Sequence, residues 1–477
     1  MLSFWRPEGA PTLRLPMMMS DPIESFLKAL DPFSMELGLG RMHTLLRALG
    51  NPERRFRCVQ IAGTNGKGSA AVTAAALLQA AGHKAGLYTS PHLVHVSERI
   101  RVDGRCVGAS VLERSLETVR GAMARAALRP TYFEVLTAAA LEIFAREGVE
   151  FAVLEVGLGG RLDATSAVAP EAEIITRIGL DHMAVLGPTI EAIAAEKAAI
   201  IRPGTAVFVA RQRPEARRVI EDKAREVGAK CLLAGRDFGL GKGAGSGEVP
   251  CGGDPLLPRN TEADGTADGA SSSAGWRYAE TSAVPPRRAP WSLDGLELSL
   301  RGGHQLDNAE AAVAAARFLS NRVTGAVIRR ALASVRWAAR FETLAEAPVT
   351  ILDGAHNPDG AEALCAAYRG HFPGSHPHLV FSALADKDVE AVAGRLFPLA
   401  ADVWLVQLDN PRALPMARLA CLAEARGVPF VCCGSVDEAL EGAHRAALAE
   451  RPQGTVLIAG SLYLAGEVLR RFPASLA

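Results

Sequence analysis

The chain has 477 residues, more than one hydrophobic core usually serves, so we expect two domains. Hydrophobic residues make up 49% and charged residues 22%, a composition typical of a globular protein and not of a disordered or fibrous one. Lys plus Arg and Asp plus Glu both count 52, and this zero net charge argues against nucleic acid as the main partner, because no overall positive field gathers phosphates.

The sequence shows no pattern typical of a membrane protein or of an oxidising compartment. No stretch approaches the roughly 18 uncharged apolar residues of a membrane span. Residues 1–20 lack the apolar segment of a signal peptide, so we expect an N-terminal extension there. The eight cysteines show no C-x-x-C spacing, which excludes a zinc pattern and a disulfide framework. These features predict a soluble, reduced, cytoplasmic protein.

From residue 56 the sequence alternates short apolar runs with helical patterns. Four runs predict buried strands: RCVQIA (57–62), AGLYTS (85–90), FAVLEV (151–156) and AEIITRI (172–178). Helical patterns follow at 69–81, from about Val111 and at 133–146. Continuous apolar strands separated by helices are typical of a parallel sheet covered on both faces.

Residues 241–290 interrupt this alternation. The window holds 9 Gly, 6 Pro and 5 Ser with few large aliphatic residues, so burial cannot repay the entropy of ordering it. We expect a disordered or loosely packed insertion. The following WSLDGLELSL (291–300) alternates like a β-hairpin, and two Ala-rich helices are predicted from Asn308 and from Thr324.

A second strand–helix series follows Arg340. Five strands are predicted, in the segments APVTILDG, HPHLVFSA, DVWLVQL, VPFVCC and GTVLIAG. This series is large enough to fold as its own α/β unit. We therefore divide the chain into residues 21–337 and 338–477.

The strongest local motif is GTNGKGS (63–69), directly between a predicted strand and a predicted helix. Glycines let backbone N–H groups approach phosphate oxygens, the helix N-terminus adds partial positive charge, and Lys67 neutralises the outer phosphates. The motif departs from the strict G-x-x-x-x-G-K-[ST] pattern, because Gly68 follows the lysine and the hydroxyl group comes at Ser69. It predicts a phosphate-binding loop; the alternative is a tight turn without a ligand.

This loop variant resembles that of the Mur ligase superfamily, and six further segments narrow the resemblance. In chain order they are TSPHLVHVSERIRVDG (89–104), TYFEVLTAAALEIF (131–144), LEVGLGGRLDAT (154–165), IGLDH (178–182), EKAAIIRPG (196–204) and DGAHNPDG (353–360). Together they resemble the folylpolyglutamate synthase/dihydrofolate synthase family, from about residue 20 to the C-terminus outside 241–290. The resemblance implies a two-domain, Mur-ligase-like α/β fold. Its N-terminal ATPase domain would have a P-loop-type parallel sheet, and the smaller C-terminal domain would be Rossmann-like.

The resemblance also implies an activity, that of an ATP- and Mg²⁺-dependent carbon–nitrogen ligase. Such an enzyme phosphorylates the carboxylate of 7,8-dihydropteroate, or the γ-carboxylate of tetrahydrofolate, and L-glutamate then attacks the acyl phosphate. Two alternatives remain open: a cell-wall Mur-type ligase for a UDP-muramoyl substrate, and a nucleotide-dependent switch protein without ligase activity. The implied partners are these small molecules, with no nucleic acid and no membrane, and we expect a monomer.

Four residues are implied by the resemblance as ligands of two Mg²⁺ ions: Ser90, Glu155, His182 and Lys197, the last as a carbamate formed with CO₂. With Lys67, the last three form the implied catalytic set. Glu155 ends an apolar strand, where open parallel sheets present functional residues, and its carboxylate suits Mg²⁺.

Each of these ligands has a simpler reading from the residues alone. Glu155 could alternatively cap the turn at Gly157–Gly160, and Ser90 could be an ordinary turn serine. His182 reads as a loop histidine, because imidazole generally suits softer metals than Mg²⁺. Lys197 lies among Ala and Ile and reads as a surface lysine with a buried stem.

The remaining implied site residues bind ATP or the acid substrate. The ATP contacts are Asn65, Gly66, Lys67, Gly68, Ser69, Asn308, Arg340 and Asp353. Asn308 is alternatively a helix N-cap. His356 and Lys387 are predicted to line the cleft without an assigned chemical step.

The implied dihydropteroate contacts are Thr131, Tyr132, Phe133, Glu134, Leu162, Asp163 and Ala164. Aromatic rings at 132 and 133 can stack on a flat pterin or aminobenzoate, and Glu134 can accept a hydrogen bond from a pterin amine. The alternative is that one of the two rings is the hydrophobic start of a buried helix.

Three positions depart from the family pattern: Ser166 stands where an asparagine is common, Arg177 where a small polar residue is usual, and Ala199 where a glycine is usual. These departures affect the expected loop geometry and substrate preference, but not the implied phosphate and metal ligands.

Overall fold

The structure is a computed structural model that describes residues 21–30, 38–242, 275–281, 291–450 and 452–472. The predicted N-terminal extension, residues 1–20, lies outside the described residues. Within them the chain forms two α/β units, as the sequence predicts.

The N-terminal unit is built on an eight-stranded sheet. Its strands are β1 Arg57–Ala62, β2 Ala85–Tyr88, β3 Ile100–Val102, β4 Arg105–Cys106, β5 Phe151–Glu155, β6 Ala172–Ile175, β7 Ala206–Val209 and β8 Lys230–Leu233. The spatial order is β4-β3-β2-β5-β1-β6-β7-β8. The six strands β2, β5, β1, β6, β7 and β8, neighbours in this order, pair in parallel. Strands β3 and β4 add an antiparallel edge next to β2. All four strands predicted in this region are confirmed.

Helices cover both faces of this sheet, because its strands are apolar on both sides. The helices of the unit are α1 Asp21–Ala29, α2 Gly40–Ala48, α3 Lys67–Ala80, α4 Ala109–Arg125, α5 Tyr132–Arg146, α6 Met183–Leu186, α7 Ile190–Ala198, α8 Pro214–Val227, α9 Gly303–Leu319 and α10 Gly325–Ser334. One core lies between the sheet and α3, α9 and α10. Two further cores on the opposite face include α4 with α5, and α7 with α8.

A separate three-stranded antiparallel sheet extends this unit. Its strands are β9 Phe238–Lys242, β10 Trp276–Glu280 and β11 Trp291–Leu296, in the order β11-β10-β9. The prediction of a disordered or loosely packed insertion over 241–290 is therefore wrong for β10; most of that window lies outside the described residues. Strand β10 is ordered because Tyr278 is buried in the core, and because Glu280 accepts a hydrogen bond from Arg317 Nε at 2.7 Å.

The prediction of a β-hairpin within 291–300 is also wrong. Strand β11 is a single strand that pairs with β10, an element that the Gly-rich composition around it concealed. A second local correction concerns Asn308, which was predicted to open a helix. Helix α9 begins five residues earlier, at Gly303, so Asn308 lies in its second turn and is not an N-cap.

The C-terminal unit has a six-stranded sheet. Its strands are β12 Glu342–Glu346, β13 Val349–Leu352, β14 His378–Phe381, β15 Asp402–Val406, β16 Phe430–Cys433 and β17 Thr455–Ala459, in the order β12-β13-β17-β14-β15-β16. Its helices are α11 Pro358–His371, α12 Val389–Leu396, α13 Met416–Glu424, α14 Val436–Ala449 and α15 Leu462–Leu469. The five predicted strands are confirmed as a parallel set. Strand β12, which pairs antiparallel with β13, was not predicted.

The two units are joined by residues 335–341, between α10 and β12, and the predicted boundary at 337/338 falls in this connection. Two of its residues, Ala339 and Phe341, adopt left-handed backbone conformations with φ of 54° and 47°. Such conformations cost energy for non-glycine residues and persist where surrounding contacts hold them. Here Asp353 accepts a hydrogen bond from Phe341 N at 2.8 Å, and Glu342 one from Ala339 N at 2.8 Å.

No helix in the described part of the chain is long and apolar enough to cross a lipid bilayer. The cytoplasmic location and the monomeric state remain predictions.

Candidate active site between the two domains

A cleft of about 1220 Å³ lies between the two units. Its N-terminal wall follows the carboxyl ends of β1, β2, β5 and β6, and its C-terminal wall follows those of β13, β14 and β17. This edge is where open α/β sheets bind ligands. Most of the predicted site residues line it: Asn65, Gly66, Lys67, Gly68, Ser90, Thr131, Tyr132, Phe133, Glu134, Glu155, Leu162, Asp163, Ala164, His182, Lys197 and Arg340. Ser69, Asn308 and Asp353 lie behind this lining.

The predicted phosphate-binding loop has the required strand–turn–helix context. It runs from the end of β1 to the first residue of α3, Lys67, with Gly66 as N-cap at φ 87°. The amides of Thr64 and Asn65 both donate to the carbonyl oxygen of Arg177, at 3.0 and 3.1 Å, which fixes the loop against the end of β6. Arg177 therefore supports the loop through its backbone, which explains why its unusual side chain is tolerated. The first-turn amides of α3 point toward the cleft, as helix geometry dictates.

Asn308 packs directly against this loop. A Cβ atom at Gly66 would overlap the Oδ1 atom of Asn308, so only glycine fits there. Asn308 Nδ2 donates to Gln305 Oε1 at 3.1 Å. The hydroxyl group of Ser69 is buried and makes no hydrogen bond to a described residue, which leaves a polar atom beside the loop for a ligand.

Lys67 projects into the cleft, where its Nζ atom donates to the carbonyl oxygen of Thr64 at 3.2 Å. Burial lowers the pKa of Lys67, and the negative charges of Glu155 and Asp181 act against that shift. Two carboxylates near one ammonium group help to keep it charged, as phosphate binding requires.

Glu155 is the last residue of β5 and is only 5% exposed. Its Oε2 atom accepts a hydrogen bond from Ser90 N at 3.1 Å, which joins the two predicted ligands. Burial raises the pKa of the Glu155 carboxyl group, while the charge of Lys67 lowers it. Glu155 does not cap the turn at 157–160, because Asp163 Oδ2 accepts from the amides of Gly157 and Leu158, both at 3.0 Å.

The oxygen donors of Glu155 and Ser90 suit Mg²⁺, which proteins commonly bind through one or two carboxylates together with substrate phosphates. No cluster of three or more His, Cys, Asp or Glu side chains suited to a metal occurs among the described residues. The pair therefore fits an ion whose remaining ligands come from the nucleotide and from water.

His182 lies at the rim of the cleft with its side chain 42% exposed. Burial of the ring lowers its pKa, and its Nε2 atom lies 3.2 Å from Lys387 Nζ. A metal ion at this nitrogen would have to replace the ammonium group of Lys387. His182 is thus in the predicted place but is hydrogen-bonded to the opposite domain.

Asp181, its neighbour, forms the main polar contact across the cleft. Its carboxylate accepts from Lys387 Nζ at 2.7 Å and from Asn357 Nδ2 at 3.2 Å. Burial alone would raise the pKa of Asp181, but the charge of Lys387 and the nearby histidines hold it well below its usual range. No role was predicted for Asp181, although it follows a strand end within the IGLDH segment (178–182). Lys387 and His356 were predicted to line the cleft, and both do.

Lys197 lies near the C-terminal end of α7 and is only 4% exposed, which rules out the surface-lysine reading. Burial lowers its pKa to about 7, with a further lowering by the charge of Lys67 and opposite contributions from Asp181 and Asp163. A pKa near 7 leaves a large fraction of this buried amine neutral at pH 7, and the neutral amine is a nucleophile whereas the ammonium group is not.

Arg340 lies in the connection between the domains, and Asp353, at the end of β13, contacts this connection. Arg340 lines the cleft, with its Nη1 atom donating to the carbonyl oxygen of Ala339 at 2.9 Å. Asp353 accepts from the amides of Phe341 and Ala355, both at 2.8 Å. One carboxylate oxygen of Asp353 therefore holds the backbone next to Arg340 and the other holds the turn after β13, and a ribose contact would be additional to these bonds.

The predicted substrate segments form the wall of the cleft next to Glu155. Tyr132 and Phe133 are both half-buried, so neither ring is lost entirely to the core. Glu134 instead forms a capping box with Thr131, through a 2.7 Å bond from Thr131 N, and accepts from Arg41 Nε at 3.2 Å. Its carboxylate has a structural role that the sequence analysis did not foresee.

Asp163 likewise fixes the loop that contains Leu162 and Ala164. Besides the two amides named above, it accepts from Thr165 N at 3.0 Å and Thr165 Oγ1 at 2.6 Å. Ser166 Oγ donates to the carbonyl oxygen of Gly160 at 2.6 Å, so the serine at this unusual position closes the same loop. Leu162 and Ala164 line the cleft beside this carboxylate.

Two segments of the chain match models of known families. Residues 61–237 match the Mur ligase middle domain, and residues 339–462 match the Mur ligase glutamate ligase domain. These two domains, with the cleft between them, define a ligase of the Mur type.

Similar individual proteins indicate which ligase family within this class the chain resembles. The chain is 35% identical to folylpolyglutamate synthase of Lacticaseibacillus casei, over 90% of this chain and 92% of that one. It resembles the structure of Escherichia coli FolC in complex with DHPP and ADP, with a TM-score of 0.79 and 31% identity over 95% and 97% of the two chains. It also resembles bifunctional folylpolyglutamate synthase/dihydrofolate synthase from Yersinia pestis complexed with AMPPNP and Mn ion, with a TM-score of 0.78 and 27% identity over 96% and 99%.

The chain belongs to the folylpolyglutamate synthase/dihydrofolate synthase family of ATP-dependent ligases. The relatives favour this family over the cell-wall ligase and the switch protein that the sequence left open.

Proposed function

We propose that the protein joins L-glutamate by an amide bond to a folate-pathway acid, either 7,8-dihydropteroate or the γ-carboxylate of tetrahydrofolate. The observation that carries this proposal is that Lys67, Glu155 and Lys197 share one cleft with the aromatic wall of Tyr132 and Phe133. Lys67 suits the terminal phosphates of ATP, Glu155 and Lys197 suit the magnesium ions that accompany them, and the aromatic wall suits a flat acid substrate beside them.

The reaction has two steps. Lys67 and the first-turn amides of α3 hold the β- and γ-phosphates, and Arg340 adds a cation from the connection between the domains. The carboxylate of the acid attacks the γ-phosphorus, a C–O–P bond forms, and the bond to ADP breaks. The amino group of L-glutamate then attacks the acyl carbon, an amide bond forms, phosphate leaves and the amine loses a proton. The contact between Asp181 and Lys387 keeps the domains together and water out of the cleft.

We infer that Glu155 and Ser90 hold a first Mg²⁺ ion, and that Lys197 as a carbamate, with His182, holds a second. When bound, Mg²⁺ neutralises charge on the transferred phosphoryl group. The Mn ion and AMPPNP named for the Yersinia pestis structure support a divalent metal at the nucleotide. The low pKa of Lys197 supports the carbamate, because only the neutral amine attacks CO₂. The product is an anion where an ammonium group would repel the metal.

The test is glutamate-dependent release of ADP, measured separately with dihydropteroate and with tetrahydrofolate, with the amide product identified by mass spectrometry. We expect product with at least one acid, and a loss of at least 10³-fold in kcat on Lys67→Ala, on the order of the loss for other key electrostatic groups. Lys230→Ala, which removes an exposed lysine from the far edge of the sheet, is the matched control and should retain full activity. ADP release that needs neither acid nor glutamate would refute the proposal.

A further inference from the structure

Arg99, between Ser90 and β3, is a buried arginine without an acidic partner. It is 9% exposed, and its Nε atom donates to Nδ1 of His92 at 2.9 Å. The accepting ring nitrogen of His92 carries no proton, so the ring is neutral there; a histidine has no anionic form that could balance the guanidinium. Within the described part of the chain, no carboxylate lies within 4.0 Å of Arg99, and its terminal nitrogens make no hydrogen bond.

Arg317, which is buried to a similar degree, shows the usual arrangement for such a group. Its Nε atom lies 2.7 Å from Glu280 Oε1, and its guanidinium also stacks on Trp291 at 3.5 Å. Burying a cation costs several kcal/mol unless an anion pairs with it. Arg99 has the aromatic neighbour, with its guanidinium 5.6 Å from the ring centre of Tyr132, but lacks the anion. No described carboxylate is in contact with Arg99, so an anionic ligand would supply the missing ion pair.

The position of Arg99 indicates which ligand this is. Both Arg99 and His92 line the cleft, and Tyr132 belongs to the aromatic wall described above. The charge of Arg99 also acts on the Glu155 carboxylate, at the place where phosphoryl transfer occurs. The nucleotide phosphates already have Lys67 and Arg340. Arg99 thus lies beside the reacting end of the acid substrate, on the aromatic side of the cleft.

The two acid substrates differ at this end. Dihydropteroate ends in one carboxylate, which must react with ATP. Tetrahydrofolate ends in a glutamyl group, whose γ-carboxylate reacts while its α-carboxylate, a few bonds away, stays unreacted and charged. A guanidinium group that held the reacting carboxylate would withdraw the electron pairs needed for attack on phosphorus, so a role toward the unreacted carboxylate is the better fit.

We propose that Arg99 binds the α-carboxylate of the terminal glutamyl residue of a reduced folate, and so serves the addition of second and later glutamates but not the first. This inference rests on the proposed function. It assigns Arg99 to substrate selection, as a residue that touches substrate without taking part in bond making.

The experiment compares Arg99→Gln, which is similar in size but uncharged, with Arg99→Lys and with the surface control Arg105→Gln on β4. Arg99→Gln should raise KM for tetrahydrofolate by about 10- to 100-fold, the range for a hydrogen-bonded charge pair. KM for dihydropteroate and for ATP should change less than threefold. Arg99→Lys should restore much of the loss, and Arg105→Gln should match the wild type.

Calorimetric titration of tetrahydrofolate and dihydropteroate without ATP supplies a readout separate from turnover. A weakening by Arg99→Gln that is confined to tetrahydrofolate supports the inference. Equal weakening for both acids, or for neither, overturns it. Should the wild-type protein bind neither acid and form no amide, the proposed function itself fails, and that result is distinct from an active enzyme in which Arg99→Gln leaves the selectivity unchanged.

Discussion

Replacing Asp181 with asparagine tests how the two domains are held together. Asp181 follows β6 in the N-terminal unit, and both of its hydrogen-bond partners in the opposite unit, Lys387 and Asn357, come from the C-terminal sheet and its loops. The side chains of Asp181 and Lys387 are each 10% exposed, so solvent screens their attraction weakly. The substitution keeps the shape of the side chain and removes its charge.

The size of the effect follows from this geometry. At 2.7 Å the gross attraction is about 6 kcal/mol for an effective dielectric constant of 20, and the desolvation of both ions offsets part of it. Removal of one partner leaves Lys387 buried without its counter-charge, which typically costs 3–5 kcal/mol. Because the asparagine oxygen still accepts hydrogen bonds, we expect the lower end, about 3 kcal/mol. Separation of the domains should then become on the order of 100-fold more frequent.

Hydrogen exchange read by mass spectrometry in the substrate-free protein measures this opening without any need for turnover. Amides near residue 387 should exchange on the order of 100-fold faster in Asp181→Asn, and a cycle with Lys387→Met should give a coupling energy above about 1.5 kcal/mol. Arg213→Gln is the matched control, because Arg213 also reaches across the domains, to Asp359 at 3.1 Å, with one-third of its side chain exposed. Its effect should stay below about 1 kcal/mol. Equal effects of the two variants would refute the reasoning.

Two further predictions concern the nucleotide and metal sites. Gly66→Ala should raise KM for ATP at least tenfold and lower stability by about 1–3 kcal/mol in thermal unfolding, because its φ is 87° and the new Cβ would overlap Asn308. Gly50→Ala, with φ of 83° but open space around it, should cost only about 1 kcal/mol and leave KM unchanged, so equal effects would contradict this account. Since the pKa of Lys197 is lowered to about 7, its neutral fraction grows as pH rises through 7, and activity should rise from pH 6 to 8. Removal of CO₂ should lower activity and bicarbonate should restore it; a wild-type enzyme indifferent to CO₂, or a Lys197→Ala variant rescued by bicarbonate, would exclude the carbamate.

The parts of the site that a sequence can predict are those whose chemistry is local. The loop from Gly63 to Ser69 brings its own glycines, lysine and helix start, so its geometry follows from consecutive residues. Glu155 was predicted by its position at the end of a buried apolar strand. In the first case the strand–turn–helix pattern fixes where the side chains point, and in the second the end of the strand does.

Contacts between distant segments were not predictable in this way. Asp181 and Lys387 are separated by 206 positions, and nothing in either segment indicates the other. The aspartates at 163 and 353 were predicted as ligand contacts, and the sequence did not indicate that both also accept hydrogen bonds from backbone amides of neighbouring loops. Strand β10 was not predicted because the average composition of the Gly-rich window is that of a disordered segment. The five residues of the strand are ordered through pairing with β9 and β11, which that average does not reflect.

The placement of Arg340 between two left-handed residues has a mechanical consequence. Arg340, whose guanidinium would contact the nucleotide, belongs to the covalent connection between the domains. Asp353 holds the next residue, Phe341, by a hydrogen bond from its amide. A rotation of one domain against the other would therefore move the Arg340 guanidinium. A phosphate bound to this guanidinium would restrain the rotation. If Arg340 binds the nucleotide as proposed, nucleotide binding and the angle between the two domains would be coupled.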